Sequence, residues 1–220
     1  MLDPRNITIS NEADTAEVDE GFNVFQDDFT GTDVNINAEN LQSQEGNIRL
    51  EATDNITIAD GISLSFVPGG LIDFIADADK NNVGNFRMDT TQSITAPGRN
   101  LTISGANVTL GNINTSGFDG TEVNNGGNGD VGSNGGQVKV IGTVGEVNVG
   151  DINTTGGDGT DGSPGGTGVT DDNAGSIGGT GVTGGTGGNG GKGGTGGEEG
   201  LMINIAACGN RKRSIITNED

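Results

Sequence analysis

The sequence has no histidine, tryptophan or tyrosine, and a single cysteine, Cys208. Without histidine the chain lacks the commonest general base and the commonest transition-metal ligand. Without tryptophan and tyrosine it lacks the aromatic platforms of most sugar-binding clefts, and only seven phenylalanines remain. One cysteine excludes an internal disulfide and, with no histidine to activate it, a Cys–His nucleophile. Ala206 and Ala207 before Cys208 read as the setting of a buried structural thiol. No apolar run approaches the ~18 residues of a membrane span, and no stretch has the moment of a membrane-surface helix. The opening MLDPRNITISNEAD has neither a basic nor an apolar region, so it does not read as a signal peptide, and the chain is expected to be an internal fragment of a longer secreted protein. Basic residues are scarce: 10 Lys and Arg stand against 31 Asp and Glu, a formal charge of -21. Such a surface repels phosphate backbones and anionic lipid and attracts cations, so nucleic acid is not an expected partner and Ca²⁺ is a possible one.

What is present is short period-2 alternation, run after run. NITIS carries Ile7 and Ile9, DVNIN Val34 and Ile36, NIRLEA Ile48 and Leu50, and NITIA Ile56 and Ile58. ISLSF, LIDFIA, NFRMD, NLTIS and NVTL continue the pattern through Leu110. Each run is four to six residues long and is bounded by Gly, Asn, Asp or Pro, which is strand-and-turn punctuation. No long stretch has a helical period.

Repetition selects among the all-β architectures. NINTSGFDGT at 112–121 matches DINTTGGDGT at 151–160 in seven of ten positions, so one unit recurs after 39 residues. Asparagines also stand at strand entrances throughout: Asn6, Asn47, Asn55, Asn85, Asn100, Asn107 and Asn148. Stacked layers would set their amides above one another as a hydrogen-bonded ladder. These features predict an all-β fold, a right-handed parallel β-helix (β-solenoid) with a long Gly-rich insertion. It would have five to seven rungs of three short strands, at about 20–25 residues per rung. An antiparallel sandwich is the alternative, since Asp60–Gly61 suits a type I′ hairpin.

The predicted organisation is 1–155 as rungs, 156–200 as a Gly-rich low-complexity loop, 201–210 as a returning strand and 211–220 as a polar tail or fragment edge. The loop is nearly half glycine and has little apolar surface to offset the entropy of ordering it. In LMINIAA, Leu201, Ile203 and Ile205 would face inward.

The ordered phrases from NIRLEATDNITIADGISLSF to GRNLTISGANVTLGNINTSG, with LDPRNITIS at the start, resemble the filamentous-haemagglutinin-type β-helical repeats of very large cyanobacterial surface proteins. The resemblance covers roughly residues 2–160. It implies export by two-partner secretion through an outer-membrane transporter, a place on the cell surface, and an adhesive or structural role that can include a host or matrix ligand. The family's secretion-recognition motifs of the NPNG or NPNL type are absent, so the resemblance reaches only the passenger.

Four sets of residues stand out as possible sites. In DADKNNVG, Asp77, Asp79 and Asn81 alternate as oxygen ligands would in a Ca²⁺ turn. Asn82 and Met88 stand where an EF-hand needs Gly and Glu, and a polar β-turn explains the same residues. GGDGTDGSP at 156–164 begins like a calcium-binding nonapeptide repeat but has no tandem copies in register. Six N-x-[ST] sequons occur, at Asn6, Asn55, Asn100, Asn107, Asn114 and Asn153, a pattern that an Asn- and Thr-rich β-chain also produces unmodified. Outward Arg49, Glu51, Asp73, Arg87 and Asp89 are the nearest approach to the acid and base cluster of a polysaccharide-cleaving β-helix. They are scattered, and the chain reads as a structural or adhesive segment rather than an enzyme, with a calcium-binding spacer or matrix module as the alternative.

Overall fold

The computed structural model describes residues 4–15, 23–24, 31–121, 130–161 and 201–205. Among these are sixteen strands and one short helix. The strands are β1 (Asn6–Ser10), β2 (Asn23–Val24), β3 (Asp33–Asn37), β4 (Ile48–Glu51), β5 (Ile56–Ile58), β6 (Leu64–Ser65), β7 (Ile72–Ile75) and β8 (Phe86–Arg87). They continue as β9 (Ser93–Thr95), β10 (Leu101–Gly105), β11 (Val108–Thr109), β12 (Asn112–Asn114), β13 (Val138–Gly142), β14 (Val147–Asn148), β15 (Ile152–Asn153) and β16 (Leu201–Ile205). The helix α1 (Ala38–Gln42) lies between β3 and β4.

The strands form three parallel sheets. The first has the order β14-β11-β8-β5-β1-β3, the second β16-β13-β10-β7-β4-β2, and the third β15-β12-β9-β6. From β4 onward the chain visits the second, first and third sheets in the same cycle, so consecutive strands lie in different sheets and each pairs with the strand one cycle away. The possible hairpin at Asp60–Gly61 is therefore not formed: β5 and β6 belong to different sheets, and Gly61 turns the corner with φ +83°.

Alternation puts one side of each short strand into a shared interior. In the first sheet the register stacks Val34, Ile7, Ile56, Phe86, Val108 and Val147 in one column. In the second it stacks Leu50, Phe74, Ile103 and Val140, and in the third Leu64, Ile94, Ile113 and Ile152. Nearly all of these are buried, and only Val147 and Ile152, in the last described strands of their sheets, are partly so. Phe66, Phe74 and Phe86 fill the middle, with Phe74 and Phe86 stacked at 6.0 Å between centroids. Each inward side chain meets a similar one above and below, so an interior this narrow is filled by aliphatic residues with few aromatics.

Two corners depart from the expected rungs. Helix α1 went unread in the sequence because it is one turn long. Asn37 caps it, accepting from the Glu39 and Asn40 amides, and Ala38 and Leu41 are buried. It lies along β6, where the Gln42 side chain accepts from the Ser65 amide and the Gln42 carbonyl from the Val67 amide. The helix thus satisfies edge groups that another strand of the third sheet would otherwise meet. The spacing between layers also exceeds the expected 20–25 residues at several points. Successive partners in the first sheet are 30, 22 and 39 residues apart, because the corners absorb loops of different length while the strands keep register.

The start of the Gly-rich sequence is more ordered than expected. The expected loop at 156–200 is hydrogen-bonded over its described part, 156–161. Three extended segments, 115–121, 130–136 and 154–161, bond to one another in three-residue steps. Gly117 and Gly120 donate to the carbonyls of Thr155 and Asp158, Gly136 and Ser133 to those of Thr115 and Phe118, and Gly157 and Thr160 to those of Ser133 and Asp130. The first and third segments run in the same direction and the second runs against them. A three-residue step is that of a polyproline-II-type helix, where glycine lets backbones approach closely. A Cβ on Gly117 would collide with the Ser133 carbonyl, and one on Gly157 with the Phe118 carbonyl. Hydrogen bonding between close backbones here replaces the apolar burial whose absence suggested a loop. Residues 162–200, 206–210 and 211–220, with Cys208, lie outside the described residues. Within the expected returning strand at 201–210, the described residues form β16, paired in register with β13.

Arg99 locks the same corner. Only 1% exposed, it is among the largest fully buried side chains. Its guanidinium donates to four carbonyls, those of Gly70, Gln44, Gly46 and Val67, and lies 5.6 Å from the centre of the Phe66 ring. Burial lowers its pKa below the ordinary arginine value. The side chain ties the turns of three layers together with no carboxylate partner among the described residues. Arg99→Met keeps the volume of the stem but leaves those carbonyls without donors, and should cost about 3–5 kcal/mol in urea unfolding. A loss below about 1 kcal/mol would mean that water replaces the guanidinium without penalty.

Candidate functional site

The outer face of the first sheet is the most organised polar surface of the described chain. Residues preceding its strands stack in one column. Asn55 donates from its amide nitrogen to Asn6 Oδ1 at 2.9 Å, Asn85 to Asn55 Oδ1 at 3.3 Å, and Asn107 to Asn85 Oδ1 at 2.8 Å. Each acceptor also takes the backbone N–H of the next asparagine, at 3.2, 2.9 and 3.2 Å. One end is Asp33, whose carboxylate accepts from Asn6 Nδ2 at 2.8 Å and faces Arg5 at 3.4 Å. The other is Glu146, whose backbone N–H donates to Asn107 Oδ1 at 2.9 Å. The ladder expected from the sequence is present for Asn6, Asn55, Asn85 and Asn107.

Asn148 is not part of it. It lies within β14, opposite Thr109, two residues beyond the Glu146 position that continues the column. Asn47 and Asn100 serve the second sheet, where their Oδ1 atoms accept from the backbone amides of Leu71 and Gln137. The recurrence in sequence is a recurrence in space: Ile113 pairs with Ile152 and Asn114 with Asn153, and Asp151 N–H donates to Asn112 Oδ1, 39 residues away.

Beside the ladder, Thr8, Thr57, Arg87 and Thr109 stack as outward neighbours. The two columns line a shallow groove of about 540 Å³. The carboxyl of Asp89 is held below its ordinary value first by the Thr91 hydroxyl, then by the Thr91 amide, with a smaller attraction from Arg87. On the second sheet, Arg49 pairs with Glu51 and, at 3.4 Å, with Asp73. The acid and base residues noted in the sequence thus divide between two faces and do not converge on one point.

At the calcium candidate most of the oxygens serve the turn, while Asp77 Oδ2 accepts from the Thr143 hydroxyl at 3.5 Å. Asp77 Oδ1 accepts from the Asn82 and Val83 amides, Asp79 from the amide and side chain of Asn81, and Asn81 Oδ1 from the Val83 amide. Asp77, Lys80 and Asn82 have positive φ, as a tight polar turn requires. Among the described residues no group of three or more His, Cys, Asp or Glu gathers to hold a metal, and no helix is long and apolar enough to cross a membrane. The 156–164 candidate is described only to Asp161, in the hydrogen-bonded Gly-rich segment.

No family model, no curated protein and no solved structure matches the chain.

The residues that sequence reading missed are Arg99 and Asp33. Arg99 carried no signal, being one cation after a Pro–Gly turn. Asp33 was legible in principle: it precedes Val34 as Asn6 precedes Ile7, at the same place in an alternating strand.

Removing one step of the ladder leaves a donor and an acceptor unmet on either side. Asn85→Ala should cost about 1–3 kcal/mol, whereas Asn148→Ala should stay within about 0.5 kcal/mol. Equal losses in denaturant melts would contradict the ladder assignment.

Asp33 supplies a pH test. Its carboxyl is held below the ordinary 3.8, first by the Asn6 amide and then by Arg5. A depressed folded-state pKa contributes stability that is present above 3.8 and is lost as pH falls through the lower folded value. Asp33→Asn should therefore show a shallower loss of stability than the native chain as pH drops below 3.8, read as urea midpoints. Parallel curves would remove Asp33 from the account.

Proposed function

We propose that the chain is a stiff, non-catalytic segment of a secreted bacterial surface protein, coiled as a right-handed parallel β-helix and acting as a structural or adhesive passenger outside the cell. The observation that carries this reading is the asparagine ladder, which runs through four neighbouring strands of the first sheet in unbroken register. A right-handed coil through three sheets is the simplest path that gives this cyclic order, and right-handedness is the rule for parallel crossovers. Its mechanism is geometric. Load along the axis falls on the backbone bonds of three sheets at once, while the corners accept insertions and present contacts.

The polar residues support the same reading by what they are already bonded to. Asparagines bond to asparagines, Arg49 to its neighbouring carboxylates, and Asp77 to its own turn and to Thr143. The resemblance to filamentous-haemagglutinin-type repeats supports the surface location, export through an outer-membrane two-partner transporter and a host or matrix surface as the contact.

The test uses antibody raised against the folded chain, applied to intact cells that express it. Labelling of unpermeabilised cells is the expected result, and labelling that requires permeabilisation overturns the reading. Incubation of the purified chain with a panel of acidic polysaccharides should release no new reducing or unsaturated ends.

A further inference from the structure

Six sequons are spread over the chain, and the hydrogen bonds divide five of them into two kinds. At Asn6, Asn55 and Asn107 the side-chain nitrogen is a donor in the ladder, held between the layers above and below. At Asn153 both the N–H and the hydroxyl of Thr155 donate to Oδ1, at 3.1 and 3.0 Å. At Asn114 the Ser116 N–H donates to Oδ1 at 3.0 Å. Only an oxygen accepts such bonds, so the orientation of both amides is fixed, with Nδ2 turned away from the turn. Neither Nδ2 has an acceptor among the described residues. The middle residues of these two sequons, Thr115 and Thr154, are buried and anchor the turns, while Asn153 and Thr155 are exposed. Asn100 lacks the turn: its Oδ1 accepts instead from the Gln137 amide.

We infer that Asn153, and after it Asn114, are acceptor sites for covalent sugar attachment in the folded chain, stacked on the outer face of the third sheet, and that the ladder asparagines are not. This goes beyond the structural role proposed above and does not depend on it. The donor would be a nucleotide-activated hexose and the catalyst an asparagine-directed glycosyltransferase. In the step, Asn153 Nδ2 forms a bond to the anomeric carbon, the bond from that carbon to the phosphate oxygen breaks, the phosphate leaves with the electron pair, and one amide proton passes to a base of the transferase. Two hydrogen bonds to Oδ1 draw electron density from the amide and make its N–H more acidic, which favours that proton loss. Asn153 ranks first because it is exposed and carries the hydroxyl bond, whereas Asn114 is half-buried beneath it.

The experiment treats the folded full chain, and the same chain in urea, with a nucleotide-hexose-dependent asparagine glucosyltransferase that tolerates the denaturant. Each site is mapped by mass spectrometry with electron-transfer fragmentation. In the folded chain Asn153 should be modified at least about tenfold faster than Asn6, Asn55 or Asn107, the penalty of opening one or two ladder bonds before transfer. In urea that difference should vanish. Thr155→Ser should retain modification and Thr155→Ala should lose it. Equal rates at Asn153 and Asn55 in the folded chain, or no modification of Asn153 in either state, overturns the assignment.

Discussion

Parallel pairing in unbroken register places each side chain above an equivalent one in the next layer, and the chemistry of the surface follows from that constraint. Most side chains stack badly on themselves. Columns of like charge repel, and opposite charges directly across stabilise. The chain answers this in two ways. On the second sheet, Asp73 lies across from Arg49. On the first sheet the column is asparagine, which carries both donor and acceptor and therefore satisfies its own copies. The ends obey the same logic, since Asp33 only accepts from the column and Glu146 contributes only its backbone N–H.

Corners escape the register rule and solve their own hydrogen-bonding problems. At the helix corner, α1 and Gln42 meet the edge of the third sheet. At the next, Arg99 serves four carbonyls with one rigid, permanently charged group, which a lysine with three donors could not match. Beyond β12 and β15, glycine brings three backbones close enough to bond directly, with short side chains such as Thr115 and Ser133 adding bonds between them. Carbonyls that lie away from water need donors, and a chain with few aromatics and a thin interior has few large side chains to shield them.

Alternating residues such as Ile48 and Leu50, or Ile72 and Phe74, announce the buried face of each strand because the two-residue period is local and needs no knowledge of the partner. The recurrence of INT at 113–115 and 152–154 marked two stacked strands correctly, since neighbours in the stack meet the same environment. Asn148 shows where this legibility stops. It has the composition of a ladder residue, but a two-residue shift at the preceding corner puts it inside the strand, and corner length cannot be read from strand pattern. The order of the Gly-rich residues 156–161 was not legible for a different reason. Apolar content is the usual sign of order, and here backbone hydrogen bonds in three-residue steps supply it instead. Arg99 was unreadable because its four acceptors come from corners as much as 55 positions away.

Side-chain amide hydrogen exchange followed by NMR tests the stacked register most directly, because it reads the ladder bonds themselves. The Nδ2 protons of Asn55, Asn85 and Asn107 should exchange with the slow class of core backbone amides such as Ile56 and Ile103, opening only when the sheets separate. Exchange of those protons as fast as at exposed Asn148 would contradict the account, since asparagines that are not bonded layer to layer have no reason to be protected.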